Sequence, residues 1–209
     1  MIKIKKKMKN NSFYLGDKSK FETIYNTLFP DGTNLDKINL KEKTVITFAG
    51  IPSSGKSTIS KKIEQRYGGV RVDGDEIMRA ISEKGLTKTI DENEEMKGKF
   101  TYALLKNSQF ENKLVILDRS IDREYNDFFK VCKENKWNYF IIQLEITKQE
   151  ATKRFKKRNP DNLDNWLPRL DMWVKQHEKF KKKIKSNISL DGTNPDLKTL
   201  FKKLNKPSE

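Results

Sequence analysis

Thr44-Val45-Ile46-Thr47-Phe48-Ala49-Gly50-Ile51-Pro52-Ser53-Ser54-Gly55-Lys56-Ser57-Thr58 is the stretch on which the fold turns. Residues 44–49 are a short, β-branched, almost continuous apolar run, the pattern of a strand buried in a parallel sheet. Gly50 lets the chain turn out of that strand, and Gly55 lets a ligand approach the backbone closely. From Ser57 to about Tyr67 the pattern becomes amphipathic, and Gly68-Gly69 closes the helix. Strand, glycine-rich turn and helix in this order aim backbone N–H groups at one point. The helix N-terminus adds about half an elementary positive charge there. Gly50, Ser53, Ser54, Gly55, Lys56, Ser57 and Thr58 are therefore the candidate phosphate-binding residues. Lys56 is expected to reach the β- and γ-phosphates of a nucleoside triphosphate, and the Ser57 hydroxyl to ligate Mg²⁺. The sequence holds no Asn-Lys-x-Asp guanine-reading motif, so ATP is the expected nucleotide.

Working outward, apolar runs alternate with helical patterns. Val70-Arg71-Val72 reads as a second strand, Leu114 to Leu117 as a third, Tyr139 to Leu144 as a fourth and Ile188-Ser189-Leu190 as a fifth. Helices are predicted over about 75–84, 92–110, 123–135, 147–158 and 163–183, with a last one running from Pro195 to about Leu204. Alternation of this kind predicts an α/β fold with a parallel sheet and right-handed crossovers. Before Thr44 the chain carries a lysine-rich leader and one amphipathic stretch, Phe21, Ile24, Tyr25 and Leu28. Residues 1–43 are thus expected to form a basic extension with one helix packed on a main domain of 44–209.

Acidic residues follow two of the strands. Asp73 and Asp75 lie just past the second, where a parallel sheet presents ligand-facing side chains. One carboxylate could orient the acceptor hydroxyl or take its proton while the other serves Mg²⁺. The competing reading is an Asp-Gly-Asp turn that caps a helix from Glu76. Asp118, at the end of the third apolar run, is the expected Mg²⁺-side residue, with Arg119 directly after it. Of 8 arginines, Arg79, Arg119, Arg123, Arg154, Arg158 and Arg169 fall after residue 75. Arg154 and Arg158, four apart on one helix face, suit a developing phosphoryl charge. Residues 154–165, with the break at Asn159-Pro160-Asp161, read as a lid over the triphosphate.

The net charge of +15 and pI near 9.7 raise nucleic acid as a partner. Lysines cluster at Lys3, Lys5, Lys6, Lys7 and Lys9, and again at Lys179, Lys181, Lys182, Lys183 and Lys185. With 36 lysines against 8 arginines, ordinary solvated faces are the favoured reading over a nucleic-acid footprint. The single Cys132 allows no internal disulfide, and His177, the sole histidine, sits beside Trp173 in an amphipathic pattern that suits a structural role. No apolar run approaches membrane-spanning length and none of signal-peptide length follows the leader, so a cytoplasmic setting is expected. Nothing in the sequence speaks to oligomeric state.

From about Thr44 to Leu204 the chain resembles the small P-loop kinases, in particular the polynucleotide-kinase-like branch, and it is similar also to adenylylsulfate kinase and zeta-type toxins. Four blocks carry the resemblance: Gly50–Ser57; Val72-Asp73-Gly74-Asp75 with Arg79; Val115-Ile116-Leu117-Asp118 with Arg123-Glu124; and Glu145 to Pro160 with Arg154 and Arg158, followed by Arg169. The resemblance implies a three-layer P-loop NTPase fold, with helices on both faces of a five-stranded parallel sheet in order 2-3-1-4-5. It implies Asp75 as the substrate-side base, Arg79 as a ligand of the acceptor or its phosphate, and Arg154 or Arg158 as lid arginines. The reading of the residues themselves adds Arg119 and Arg123 on the acceptor side, Ser57, Asp73 and Asp118 on the Mg²⁺ side, and Lys56 acting with Arg154 and Arg158. Arg79 stands four residues after Asp75, where family members place it three after. The implied activity is transfer of the γ-phosphate of Mg²⁺·ATP to a hydroxyl of a small metabolite, nucleoside, nucleotide or sugar nucleotide. The alternatives are a polynucleotide 5′-hydroxyl kinase, a toxin acting on a sugar nucleotide, and a nucleotide-binding switch without an acceptor.

Overall fold

The apolar run ahead of the glycine loop is the centre of the molecule. In a computed structural model, which describes residues 18–30, 43–106, 110, 114–158 and 163–205, it forms strand β1 (Thr44–Ala49). Strands β2 (Val70–Asp73), β3 (Leu114–Ser120), β4 (Asn138–Glu145) and β5 (Ile188–Asp191) join it in one sheet of order β2-β3-β1-β4-β5. Every pairing is parallel. This is the order that the resemblance to the small P-loop kinases implied.

Side-chain alternation sorts the strands between two cores. Val45 and Ala49 of β1, with Val115 and Leu117 of β3, face one cluster; Ile46 and Phe48, with Leu114 and Ile116, face the other. Both faces are therefore apolar, and each needs a helical cover. The first is covered by α1 (Lys18–Leu28), α3 (Gly74–Glu83), α4 (Ile90–Leu105) and α5 (Tyr125–Glu134), with Phe180 of α7 (Leu163–Lys183). The second is covered by α2 (Lys56–Tyr67) and α8 (Leu197–Leu204). Helix α6 (Lys148–Arg158) lies with α7 beside the loop, where Ala151 and Leu170 pack on Ile51. Among the described residues, no helix is long and apolar enough to cross a membrane.

Helix α1 is built into the first core. Phe21 and Ile24 are fully buried, and the Phe21 ring lies 5.0 Å from that of Phe100 on α4. Two departures from the expected element bounds matter most for packing and for the site. Helix α4 ends at Leu105 instead of continuing to residue 110, and the buried Trp137 indole N–H donates to the Leu105 carbonyl at 2.7 Å, satisfying an end-of-helix acceptor. Strand β3 continues past Leu117 to Ser120. Its register on β1 shifts there, Thr47 facing Leu117 but Phe48 facing Ser120, so Asp118 and Arg119 are the extra residues.

Candidate active site

The glycine loop leaves β1 through a conformation closed to other residues. Gly50 has φ +145°, and a Cβ there would lie 2.7 Å from the Leu144 carbonyl and 2.9 Å from Ser54 Oγ. Gly55 enters α2 at φ +99°, and no side chain caps that helix, so its first N–H groups are left for a ligand. Ser54 is buried beneath the loop, and Thr58 is exposed on the first turn of α2. Lys56 Nζ folds into the loop and donates to Gly50 O at 2.9 Å, Ile51 O at 2.7 Å and Ser54 Oγ at 3.2 Å. Burial pushes its pKa down to about 8, against the opposing pull of Asp122, Asp118 and Asp75.

The register shift in β3 turns Asp118 under the start of α2. Its Oδ1 accepts from Ser57 Oγ at 3.1 Å and its Oδ2 from Ser60 Oγ at 2.7 Å. Directly opposite on β2 stands Asp73, a like charge at a paired position, which is unfavourable without a cation between. Arg71 is that cation, donating through one nitrogen to Asp73 at 2.6 Å and Asp118 at 2.8 Å. Burial raises the Asp118 pKa, the nearby Asp73 adding to it, while bonds from Ser60 and Ser57 and the Arg71 charge hold it down. Asp73 also caps α3, accepting from the backbone N–H of Asp75 at 2.8 Å and of Glu76 at 3.4 Å. The capping geometry weighed against a metal role at the sequence level is thus present, and Asp73 is not among the residues lining the cleft.

Above the loop opens a cleft of about 620 Å³. It brings together Gly50, Ser53, Gly55, Lys56, Ser57 and Thr58 with Asp75, Asp118, Arg119, Arg123, Arg154 and Arg158. Arg79 is exposed and lies outside this lining. Arg154 donates to the carbonyls of Ser53 at 3.2 Å and Gly192 at 3.0 Å and pairs with Glu150 at 2.8 Å, strapping α6 to the loop. Arg158, one turn on, is exposed at the rim. Residues 159–162 of the expected lid lie outside the described residues. Arg119 is buried and tied to Thr101 Oγ1 at 2.9 Å and Glu124 at 2.6 Å, so its guanidinium braces α4 against the start of α5.

The cleft also holds Glu94, Lys97 and Asp122, which the sequence did not single out. Lys97 and Arg123 both pair with Glu94, at 2.7 and 3.1 Å. Asp122 accepts the Gly50 N–H at 3.1 Å and meets His177 Nδ1 at 2.9 Å. The His177 ring, placed in the sequence reading as a structural helix residue, touches Glu145 at 3.3 Å with its other nitrogen. No spacing rule links Asp122 to His177, which stand 55 residues apart, so only the fold reveals the pair.

The sheet order, with a glycine loop between β1 and α2, gives the chain a P-loop fold of the kinase-like kind. The chain belongs to the family described as chromatin associated protein KTI12, whose model matches residues 44–204. A curated relative, UMP-CMP kinase 1 of Oryza sativa subsp. japonica, is 26% identical over 199 residues, covering 79% of this chain and 76% of its own. Among solved structures, a gluconokinase from Sinorhizobium meliloti 1021 matches with a TM-score of 0.50 at 17% identity, over 78% of this chain and 89% of that one. APE1195 matches with a TM-score of 0.52 at 18% identity, over 79% and 94%. Both structures share the fold of this chain.

Proposed function

We propose that the protein is a Mg²⁺·ATP-dependent kinase that phosphorylates a hydroxyl of a small acceptor, with 44–209 as its kinase domain and 154–165 as its lid. The observation that carries this reading is the pair Ser57 Oγ–Asp118 Oδ1 at 3.1 Å, set beside Lys56 at the floor of an open, arginine-rimmed cleft. The groups present fit the implied ligands. At Gly55 a Cβ would meet nothing nearer than the Gly192 carbonyl at 3.5 Å, and the uncapped start of α2 leaves backbone N–H groups for phosphate oxygens. A hydroxyl and one carboxylate suit Mg²⁺, which keeps several waters and shares phosphate oxygens, better than a cation needing a full protein cage.

When bound, Mg²⁺·ATP supplies the phosphoryl group and neutralises part of its charge. The chain supplies position and field. Ser57 and Asp118 hold the metal side, with Asp73 behind them steadying Arg71 and the α3 cap. Lys56 exchanges its loop carbonyls for phosphate oxygens, and Arg154 and Arg158 meet developing charge from the lid side. Asp75 and Arg123 face the acceptor, and Arg119 fixes the wall behind them. Arg79, exposed on α3, extends that side to a larger acceptor. The likeness to a UMP-CMP kinase supports a nucleotide-sized acceptor. The test is incubation with γ-labelled ATP, Mg²⁺ and pooled nucleosides, nucleotides, sugars and sugar nucleotides, beside a Lys56→Ala control. Label on an acceptor, absent in the control, is the expected result; label released only to water would favour a nucleotide switch.

A second reading, a polynucleotide 5′-hydroxyl as acceptor, is favoured by the hollow on α6 lined by Lys148, Lys153 and Lys156. Phosphate contacts there would give oligonucleotide binding a steep salt dependence. Absence of oligonucleotide binding at low salt rejects this reading.

A further inference from the structure

Asp122 is held in a way that its surroundings in the fold do not require. The Ile121 N–H donates to Phe48 O at 3.0 Å, so the chain leaving β3 still runs beside β1 and delivers Asp122 next to Gly50. One carboxylate oxygen, Oδ2, is bound twice, by the Gly50 N–H at 3.1 Å and by His177 Nδ1 at 2.9 Å. The other, Oδ1, is buried, and no donor among the described residues reaches it. Leaving a buried carboxylate oxygen unpaired costs free energy, so such an atom in a cleft points to a donor that arrives with a ligand. Asp122 lines the same cleft as Lys56, and after burial it is the strongest influence on the Lys56 ammonium, ahead of Asp118 and Asp75. Asp75, by contrast, is exposed on the first turn of α3.

We infer that Asp122 Oδ1, and not Asp75, accepts the hydrogen bond of the attacking hydroxyl, and that His177 is the positioning residue that holds the Asp122 carboxylate in place. This rests on the kinase reading above and names the atom that handles the nucleophile's proton. In the step, the acceptor oxygen bonds to the γ-phosphorus as the bond from that phosphorus to the bridging oxygen of the nucleoside diphosphate breaks. The hydroxyl proton passes to Oδ1 and then to water. Both nitrogens of His177 face carboxylate oxygens, Asp122 from the loop after β3 and Glu145 from β4, and an ionised carboxylate only accepts. The doubly protonated imidazolium satisfies both. Burial opposes that charge, but the hydrogen bond and charge of Asp122, then of Glu145, raise the pKa of His177 above its ordinary value; Lys181 on α7 pairs with Glu145 from the other side.

The test is Asp122→Asn. Asparagine keeps its oxygen toward Gly50 and His177 and puts an NH₂ where Oδ1 stood, so the structural links survive while the free acceptor becomes a donor. Three readouts decide. Affinity for a fluorescent ATP analogue with Mg²⁺ stays within about twofold of wild type. Hydrolysis of Mg²⁺·ATP, with water as the nucleophile, falls about 100-fold, the lower end of what a positioned proton acceptor contributes. Because His177 is the only histidine, its single imidazole signal in the proton NMR spectrum reports its pKa without nucleotide, and that pKa falls toward the ordinary value in the variant. Unchanged hydrolysis overturns the inference, as does a loss of hydrolysis matched by an equal loss of nucleotide affinity, or an unmoved His177 titration. If wild type phosphorylates no acceptor yet hydrolyses ATP in an Asp122-dependent way, the inference stands for water and the kinase reading falls. If wild type neither binds nor hydrolyses ATP, both fall.

Discussion

The buried ammonium of Lys56 makes nucleotide affinity a function of pH. In the free protein its pKa is lowered to about 8 from the ordinary 10.5, chiefly by burial. A lysine depressed in this way is charged below pH 8 and loses its proton above it. A bound triphosphate brings negative charge to the ammonium and restores its preference for the proton. Taking the bound value back to 10.5, linkage gives an affinity about tenfold weaker at pH 9 than at pH 7, with uptake of about three-quarters of a proton on binding at pH 8.5. Titrating a fluorescent ATP analogue at pH 7, 8, 9 and 9.5 in constant ionic strength measures the slope; calorimetry in buffers of different ionisation enthalpy measures the uptake. Cys132 is silent in this window, because burial pushes its thiol up to about 12. Lys97 is also lowered, by burial and by Arg119, so Lys56→Met is the control that isolates Lys56: binding weaker than wild type and flat with pH. A wild-type affinity that stays constant from pH 7 to 9.5 would refute the link between the loop ammonium and the phosphates.

Other consequences are simpler to measure. Phe21→Ala empties a fully buried site against Phe100 and is expected to lower unfolding free energy by about 3–5 kcal/mol in denaturant titration; a loss under about 1 kcal/mol would mean that α1 is not part of the core. Gly50→Ala forces a Cβ against Leu144 O and Ser54 Oγ at a positive φ, costing about 2–5 kcal/mol, and thermal denaturation should show it. Arg158→Ala should leave the melting temperature unchanged, since the side chain is exposed, while turnover falls at least about tenfold; an unchanged rate removes Arg158 from the lid.

Much of this was legible because it is local. The apolar run 44–49, the glycines at 50 and 55 and the amphipathic turn after Lys56 each declare themselves within a few residues. The run Leu114–Leu117 likewise announces a buried strand that ends at an acid. What stayed hidden depends on register and on contacts between distant segments. Nothing in the alternation of β3 predicts the shift that frees Asp118 to meet Ser57, or the opposition of Asp73 that makes Arg71 necessary. Arg71 read as a residue within a short strand, although it bridges two carboxylates. His177 looked like one more position on an amphipathic helix, because the partners that give it chemistry come from β4 and from the turn after β3. Asp73 shows the opposite difficulty: the same Asp-Gly-Asp sequence serves a helix cap and a metal site equally well, and only the bonds to Asp75 N and Glu76 N show that the cap is made.

The most direct measurement is ATP binding to the purified protein with and without Mg²⁺, in wild type and in Lys56→Ala. Saturable, magnesium-strengthened affinity is expected in the wild type, with a loss of at least about tenfold in the variant, whose fold, judged by its melting transition, remains intact. Wild-type protein that binds no nucleoside triphosphate, or binds it equally well without Lys56, would contradict the phosphate cradle on which everything else stands.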